Sequence, residues 1–229
     1  MNRPEYHLIL ALMVILFVLG CSKTYVPQIV LPVSERTIDA VVEMHSLQAA
    51  PKLRSGHDTY GVLAPKVETP SPKELTDQLT TALLEDFDSD QVFSRLSIFE
   101  PNPDLILTGR VDKFYQHDRP RLWSYAPYAE TFAWLFRVNT YVSSGEVDLT
   151  VMLLKAGGEV VGRYRGREKF DETYRPNDDL LPGERLNHAF FAAVQQIREK
   201  LLADPALHEI KRQQLNSSAL SQNIASLIQ

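Results

Sequence analysis

The chain has 229 residues, a formal net charge of -5, and 44% hydrophobic against 23% charged residues. That balance excludes a disordered chain and a polytopic membrane protein, and it suits one sizeable core or two small ones. The acidic total speaks against nucleic acid as a partner, because such binding rests on neutralising phosphates with Lys and Arg.

At the N-terminus, Arg3 precedes an unbroken apolar run from Leu8 to Leu19. A helix needs about 20 apolar residues to cross a bilayer, so this shorter run reads as the h-region of a signal peptide covering residues 1–20. Val18-Leu19-Gly20-Cys21 resembles the lipobox of bacterial lipoproteins, in which a small residue precedes an acylated cysteine. The resemblance implies cleavage between Gly20 and Cys21, a diacylglycerol on the Cys21 thiol and an N-acyl chain on its new amino group. Two or more chains anchor a protein firmly, whereas one binds marginally. Cys21 is the only cysteine, so acylation leaves no thiol for catalysis or for a disulfide. Ser22 stands where an aspartate would signal inner-membrane retention. By analogy the protein is expected on the outer membrane of a Gram-negative cell, facing the periplasm.

Residues 21–36 read as the lipidated N-terminus and tether, 37–205 as a single domain and 206–229 as a polar C-terminal tail. Thr37 to Leu47 alternates loosely and predicts a strand. Pro51 to Pro72 is rich in Pro, Gly, Ser and Thr and reads as loop, with one short extended piece around Tyr60 to Leu63. Ser71-Pro72-Lys73-Glu74 is a capping box with proline at the first helical position. Leu75, Leu79, Leu83 and Phe87 follow at intervals of four, the buried stripe of a helix.

Val92 to Phe99 and Leu105 to Tyr115 read as extended. Glu146 to Leu154 and Glu159 to Phe170 flank the turn Ala156-Gly157-Gly158 and predict a hairpin. Gly183 to Leu202 predicts a second helix, with Leu186, Phe190, Val194, Ile197 and Leu201 on its apolar face. The expected fold is therefore α+β: an antiparallel sheet of four to five strands with two amphipathic helices packed on one face.

Nothing in the sequence assembles a familiar reaction centre. The histidines are scattered, without the paired spacing of a zinc hydrolase. Asp86, Asp88 and Asp90 begin like a calcium loop, but Gln91 and Ser97 occupy the glycine and bidentate-glutamate positions. Gly157 to Gly162 has phosphate-loop glycine spacing, but Arg163-Tyr164 replaces the lysine and hydroxyl pair. The expectation is a non-enzymatic protein without metal, whose only prosthetic chemistry is the acyl chains on Cys21.

Two surfaces invite a binding role. Arg163, Arg165, Arg167 and Lys169 recur at period two and project from one strand face, as a solvated sheet face or as contacts to an anionic envelope ligand. The segment Trp123 to Val142 concentrates Trp123, Tyr125, Tyr128, Phe132, Trp134 and Phe136 between Arg119, Arg121 and Arg137. It reads either as an insertion covering the core or as a surface for the membrane interface or a partner protein.

The run of elements from Ser71 to Pro205, with "DLILTGRVDKF" as a strand and "GEVDLTVMLLKAGGEVVGRYRG" as a hairpin, resembles small periplasmic lipoproteins. Auxiliary lipoproteins of ABC-type transport systems, the lipopolysaccharide-assembly lipoprotein and YajG-like lipoproteins share this arrangement. The resemblance implies a lipid-anchored accessory or assembly subunit in envelope transport or biogenesis, with a protein partner and no nucleic acid. A binding module for lipopolysaccharide or peptidoglycan is the alternative.

Overall fold

The computed structural model describes residues 23–24, 37–59, 67–68, 70–126, 128–175 and 183–208. Its strands are β1 (Lys23–Thr24), β2 (Ile38–Met44), β3 (Gln48–Thr59), β4 (Val67–Glu68), β5 (Phe93–Ser97), β6 (Leu105–Pro120), β7 (Tyr141–Lys155) and β8 (Val160–Tyr174). Its helices are α1 (Pro72–Ser89), α2 (Ala129–Phe136) and α3 (Glu184–Ala203), with a 3-10 turn at Leu122–Tyr125. The signal run, most of the tether, Tyr60 to Leu63 and the tail beyond residue 208 lie outside the described residues.

The class is α+β, but the sheet has six strands and is mixed, which corrects the expectation of four to five antiparallel strands. The order is β5-β2-β6-β7-β8, with β3 continuing beside β6 where β2 leaves off. Strands β6, β7 and β8 form the expected antiparallel meander, whereas β2 is parallel to both β5 and β6, and β3 is parallel to β6. The cause is α1. A chain that leaves a strand into a helix is carried back along the sheet, so its next strand enters in the same direction.

Strand β3 also corrects the reading of Pro51 to Pro72 as loop. Proline lacks the amide hydrogen that a ladder needs. Pro51 is tolerated because pairing with β6 is interrupted between Ala49 and Arg54. Strand β6 carries its own extra residue, Asp112, between the Val111–Leu149 and Lys113–Asp148 pairs. This bulge restores side-chain parity, so that Val111 and Phe114 both face the core and Lys113 faces out.

Both long helices start as their sequences direct. Ser71 Oγ accepts from the Glu74 N–H at 3.2 Å, and Pro72 needs no partner at the first position. Helix α3 starts instead from Gly183, whose φ of 85° is the left-handed conformation that glycine enters without steric strain. Leu75, Leu79, Leu83 and Phe87 from α1 share one core with Leu186, Phe190, Val194, Ile197 and Leu201 from α3 and the inward residues of β2, β6 and β7. Both helices thus cover one face, as expected. Leu207 is also fully buried in that core, so packing continues past the expected domain end at residue 205.

Three contacts tie α3 down. Arg198 donates to Asp90 at the C-cap of α1, with both side chains buried. Tyr164 donates to Asp204 just beyond α3 at 2.6 Å. Gly166 on β8 lets the helix backbone come so close that a Cβ there would lie 1.9 Å from the Ala193 carbonyl oxygen. Side chains occupy the outer edge of β8 at three residues. Gln196 accepts from the Arg167 N–H and donates to its carbonyl, both at 3.1 Å, and Lys200 donates to the Arg165 carbonyl at 2.5 Å. Asn139 donates to the Thr173 carbonyl at 3.0 Å.

Candidate interaction site

The β6–β7 ladder runs out to the pair Pro120–Tyr141, and the aromatic insertion is everything between them. The Arg121 N–H donates to the Thr140 carbonyl at 2.8 Å and closes its base. Ser124 Oγ donates back to the Arg121 carbonyl at 2.6 Å, holding the 3-10 turn. Tyr128 (φ 64°) turns the chain into α2 and Arg137 (φ 53°) ends it. Both conformations strain a bulky residue, and such strain is retained where the surrounding structure or function demands it.

Helix α2 buries its two alanines and exposes three of its large residues. Ala129 and Ala133, one turn apart, are buried, whereas Phe132, Leu135 and Phe136 are exposed. Leu122, Tyr128 and Phe136 are 91%, 78% and 68% exposed, and Tyr125 is exposed as well. Trp123 is partly covered at 39%. Phe132 and Phe136 stack on each other, ring centroids 6.5 Å apart, instead of on the domain.

Past Phe114, the inward face of the sheet also carries buried polar residues, Gln116, Asp118 and Ser143, and Gln116 donates to both Asp118 oxygens at 3.0 and 3.1 Å. The insertion thus buries Ala129 and Ala133 and leaves its larger described side chains to solvent. Trp134 falls within α2, but the placement of its side chain lies outside the description.

The cationic strand has a different fate. Arg163, Arg165, Arg167 and Lys169 do line the outer face of β8, but the opposite strand supplies carboxylates. Arg165 clamps Asp148 through two hydrogen bonds of 2.7 and 2.5 Å, and Arg167 donates to Glu146 at 2.6 Å. Lys113, placed outward by the β6 bulge, donates to the other Glu146 oxygen at 3.0 Å, and Lys169 lies 4.0 Å from it. The Asp148 side chain is only 1% exposed, although it sits on the solvent side of the sheet. Arg165 and Arg167 thus already hold carboxylates of the same sheet.

Burial works against the charge on Glu146 and Asp148, yet the hydrogen bonds and positive charge of Lys113, Arg165 and Arg167 outweigh it. Both carboxyls are pulled below their ordinary values of 4.5 and 3.8. A carboxylate depressed in the folded state contributes stability that is present above its ordinary pKa and lost as pH falls through the folded-state value. Thermal melts of Glu146→Gln/Asp148→Asn should therefore lie below wild type at neutral pH and approach it below about pH 4. A constant gap at all pH values would contradict this account.

Glu146 and Asp148 were missed by the sequence reading. Their signal was present: acids alternating on one strand of a hairpin and bases alternating on the other, with a short turn to set the register. The remaining expectations about chemistry meet ordinary structure. Asp86 and Asp90 are buried, and Asp90 serves Arg198. Gly157 and Gly158 form the β7–β8 turn, where the Gly158 N–H donates to the Lys155 carbonyl at 2.8 Å. Among the described residues, no three His, Cys, Asp or Glu side chains cluster as a metal site. Gly20 and Cys21 lie outside the described residues.

No family model and no curated protein matches the chain. Among solved structures it is similar to a Xanthomonas campestris protein assigned to the DUF330 family, at 15% identity and a TM-score of 0.47, covering 84% of this chain and 99% of that one. It is also similar to a structure described as an uncharacterized protein, at 12% identity and a TM-score of 0.41, covering 79% and 99% respectively.

Proposed function

We propose that the chain is a lipid-anchored accessory subunit of an envelope transport or biogenesis system, acting by binding and not by catalysis. The observation that supports this reading is the hairpin tip, where most of the exposed large apolar side chains of the described residues gather, with Ile98, Phe99 and Val160 exposed elsewhere. Contiguous exposed apolar surface on a soluble domain marks a contact site. The lipobox supplies the location, since a chain acylated at Cys21 is held beside the envelope machinery. Among the described residues, no helix is long and apolar enough to cross a membrane. The competing assignment, capture of an anionic envelope ligand by the cationic strand, is weaker, because a ligand would have to displace Asp148 and Glu146 from their arginines.

Replacing Cys21 by Ser tests the anchor. Wild type is expected in the outer-membrane fraction with acyl chains detectable by mass, and the variant is expected to lose the acyl chains and leave that fraction. A wild type without acyl chains and a variant that still fractionates with the outer membrane would sink the anchor. The accessory role predicts a stoichiometric envelope protein on purification from detergent-solubilised membranes. A chain that purifies alone after in-cell cross-linking would remove that role.

A further inference from the structure

The tip's exposed side chains narrow the kind of surface that would cover them. We propose that the β6–β7 tip seats in the interfacial layer of an anionic lipid bilayer, so that the domain meets the membrane through protein as well as through lipid. This rests on reading the tip as a contact surface and names its occupant. Three observations favour a bilayer over a protein.

The first is shape. Leu122, Tyr128, Phe132 and Phe136 form an exposed knob on the 3-10 turn and the short helix at the end of a hairpin. A fluid interface conforms to such a knob, whereas a protein surface would have to match it. The second is polarity along the knob. Helix α2 buries its alanines and exposes Phe132, Leu135 and Phe136, the arrangement of a helix lying in an interface with its apolar face sunk about 5–10 Å. Trp and Tyr, which concentrate in this segment, favour the boundary between headgroups and acyl chains.

The third is charge. From residue 119 to residue 145 the chain carries Arg119, Arg121 and Arg137 against the single acid Glu130, in a protein that is acidic overall. Arg119 and Arg137 are exposed where the knob joins the strands. Long cationic side chains at that level reach phosphate headgroups while the apolar tip lies deeper.

The chain's only two tryptophans, Trp123 and Trp134, both lie in the insertion, so tryptophan emission reports the tip alone. The full-length protein, reconstituted into vesicles of phosphatidylcholine with phosphatidylglycerol, is to be read with acyl chains brominated or plain and with iodide added outside. Quenching by brominated chains, shielding from iodide and a blue shift are expected. In L122S/F132S/F136S the blue shift, the bromolipid quenching and the iodide shielding are expected to disappear. These positions are exposed, so the melting temperature should stay at the wild-type value. Arg119→Glu with Arg137→Glu should weaken the quenching on vesicles containing phosphatidylglycerol, and added salt should weaken it further.

Tryptophans that stay open to iodide and untouched by bromolipid, on vesicles that carry the protein, would overturn the proposal. So would quenching that survives the triple substitution, or iodide shielding that appears only when a protein partner is added. Acylation is scored separately by mass. An unacylated chain whose tip is still quenched defeats the anchor and keeps the tip, and an acylated chain with an unquenched tip does the reverse.

Discussion

Arg198→Ala is expected to lower stability by about 3–5 kcal/mol, the usual range when one partner of a buried ion pair is removed. The Arg198 and Asp90 side chains are 8% and 5% exposed, so neither can turn to water when the other is lost. Asp90 cannot swing away cheaply either, because it is the C-cap of α1 and its own N–H donates to the Asp86 carbonyl at 3.0 Å. Most of the loss is therefore a stranded carboxylate and not a missing attraction. A double-mutant cycle in urea separates the two. Asp90→Asn added to Arg198→Ala should recover a large part of the deficit, since a neutral amide is far easier to bury than a charge. A deficit under about 1 kcal/mol in Arg198→Ala would show that the pair is solvated and that the helices are joined by apolar packing alone.

Gly166→Ala is expected to cost about 3 kcal/mol, at the upper end for overpacking, although it adds one methyl group. The new Cβ would meet the Ala193 carbonyl oxygen at 1.9 Å and its carbon at 2.6 Å. Both are backbone atoms in the middle of α3, so relief requires moving the helix off the sheet and loosening Phe190, Val194 and Ile197 together. Gly157→Ala is the matched control. Nothing lies within 4 Å of a Cβ there, and its melting temperature should match wild type. Equal effects at the two positions would mean that backbone entropy, and not the helix–sheet approach, sets the loss.

Much of the architecture was legible because the signals were local. Ser71 to Glu74 announces a helix start, the leucines at every fourth position announce its buried face, and Gly157-Gly158 between alternating runs announces the β7–β8 hairpin. The parallel half of the sheet was hidden because direction is not a local property. Whether β5 lies parallel to β2 depends on where α1 returns the chain, and no pattern within Phe93–Ser97 records that. Strand β3 was hidden by Pro51, which reads as a breaker until the pairing interruption beside it is seen. The tip was found as a candidate from its composition, but its exposure could not be read from it. On the cationic strand the period was legible, whereas the carboxylate partners on β7 emerge only from the hairpin register.

The covered edge of β8 bears on how many copies of the protein can share a surface. Molecules tethered to one membrane meet at effective concentrations far above those of the same molecules in free solution. Under such crowding, a long open strand edge is a template for cross-molecule pairing and runaway fibre growth. Here Gln196 occupies both hydrogen-bonding groups of Arg167 as a neighbouring strand would, and Lys200 and Asn139 block Arg165 and Thr173 on either side. A second chain could not zip along that edge without first prising three side chains from it. Pairing of a second chain along β8 is thus blocked at Arg165, Arg167 and Thr173.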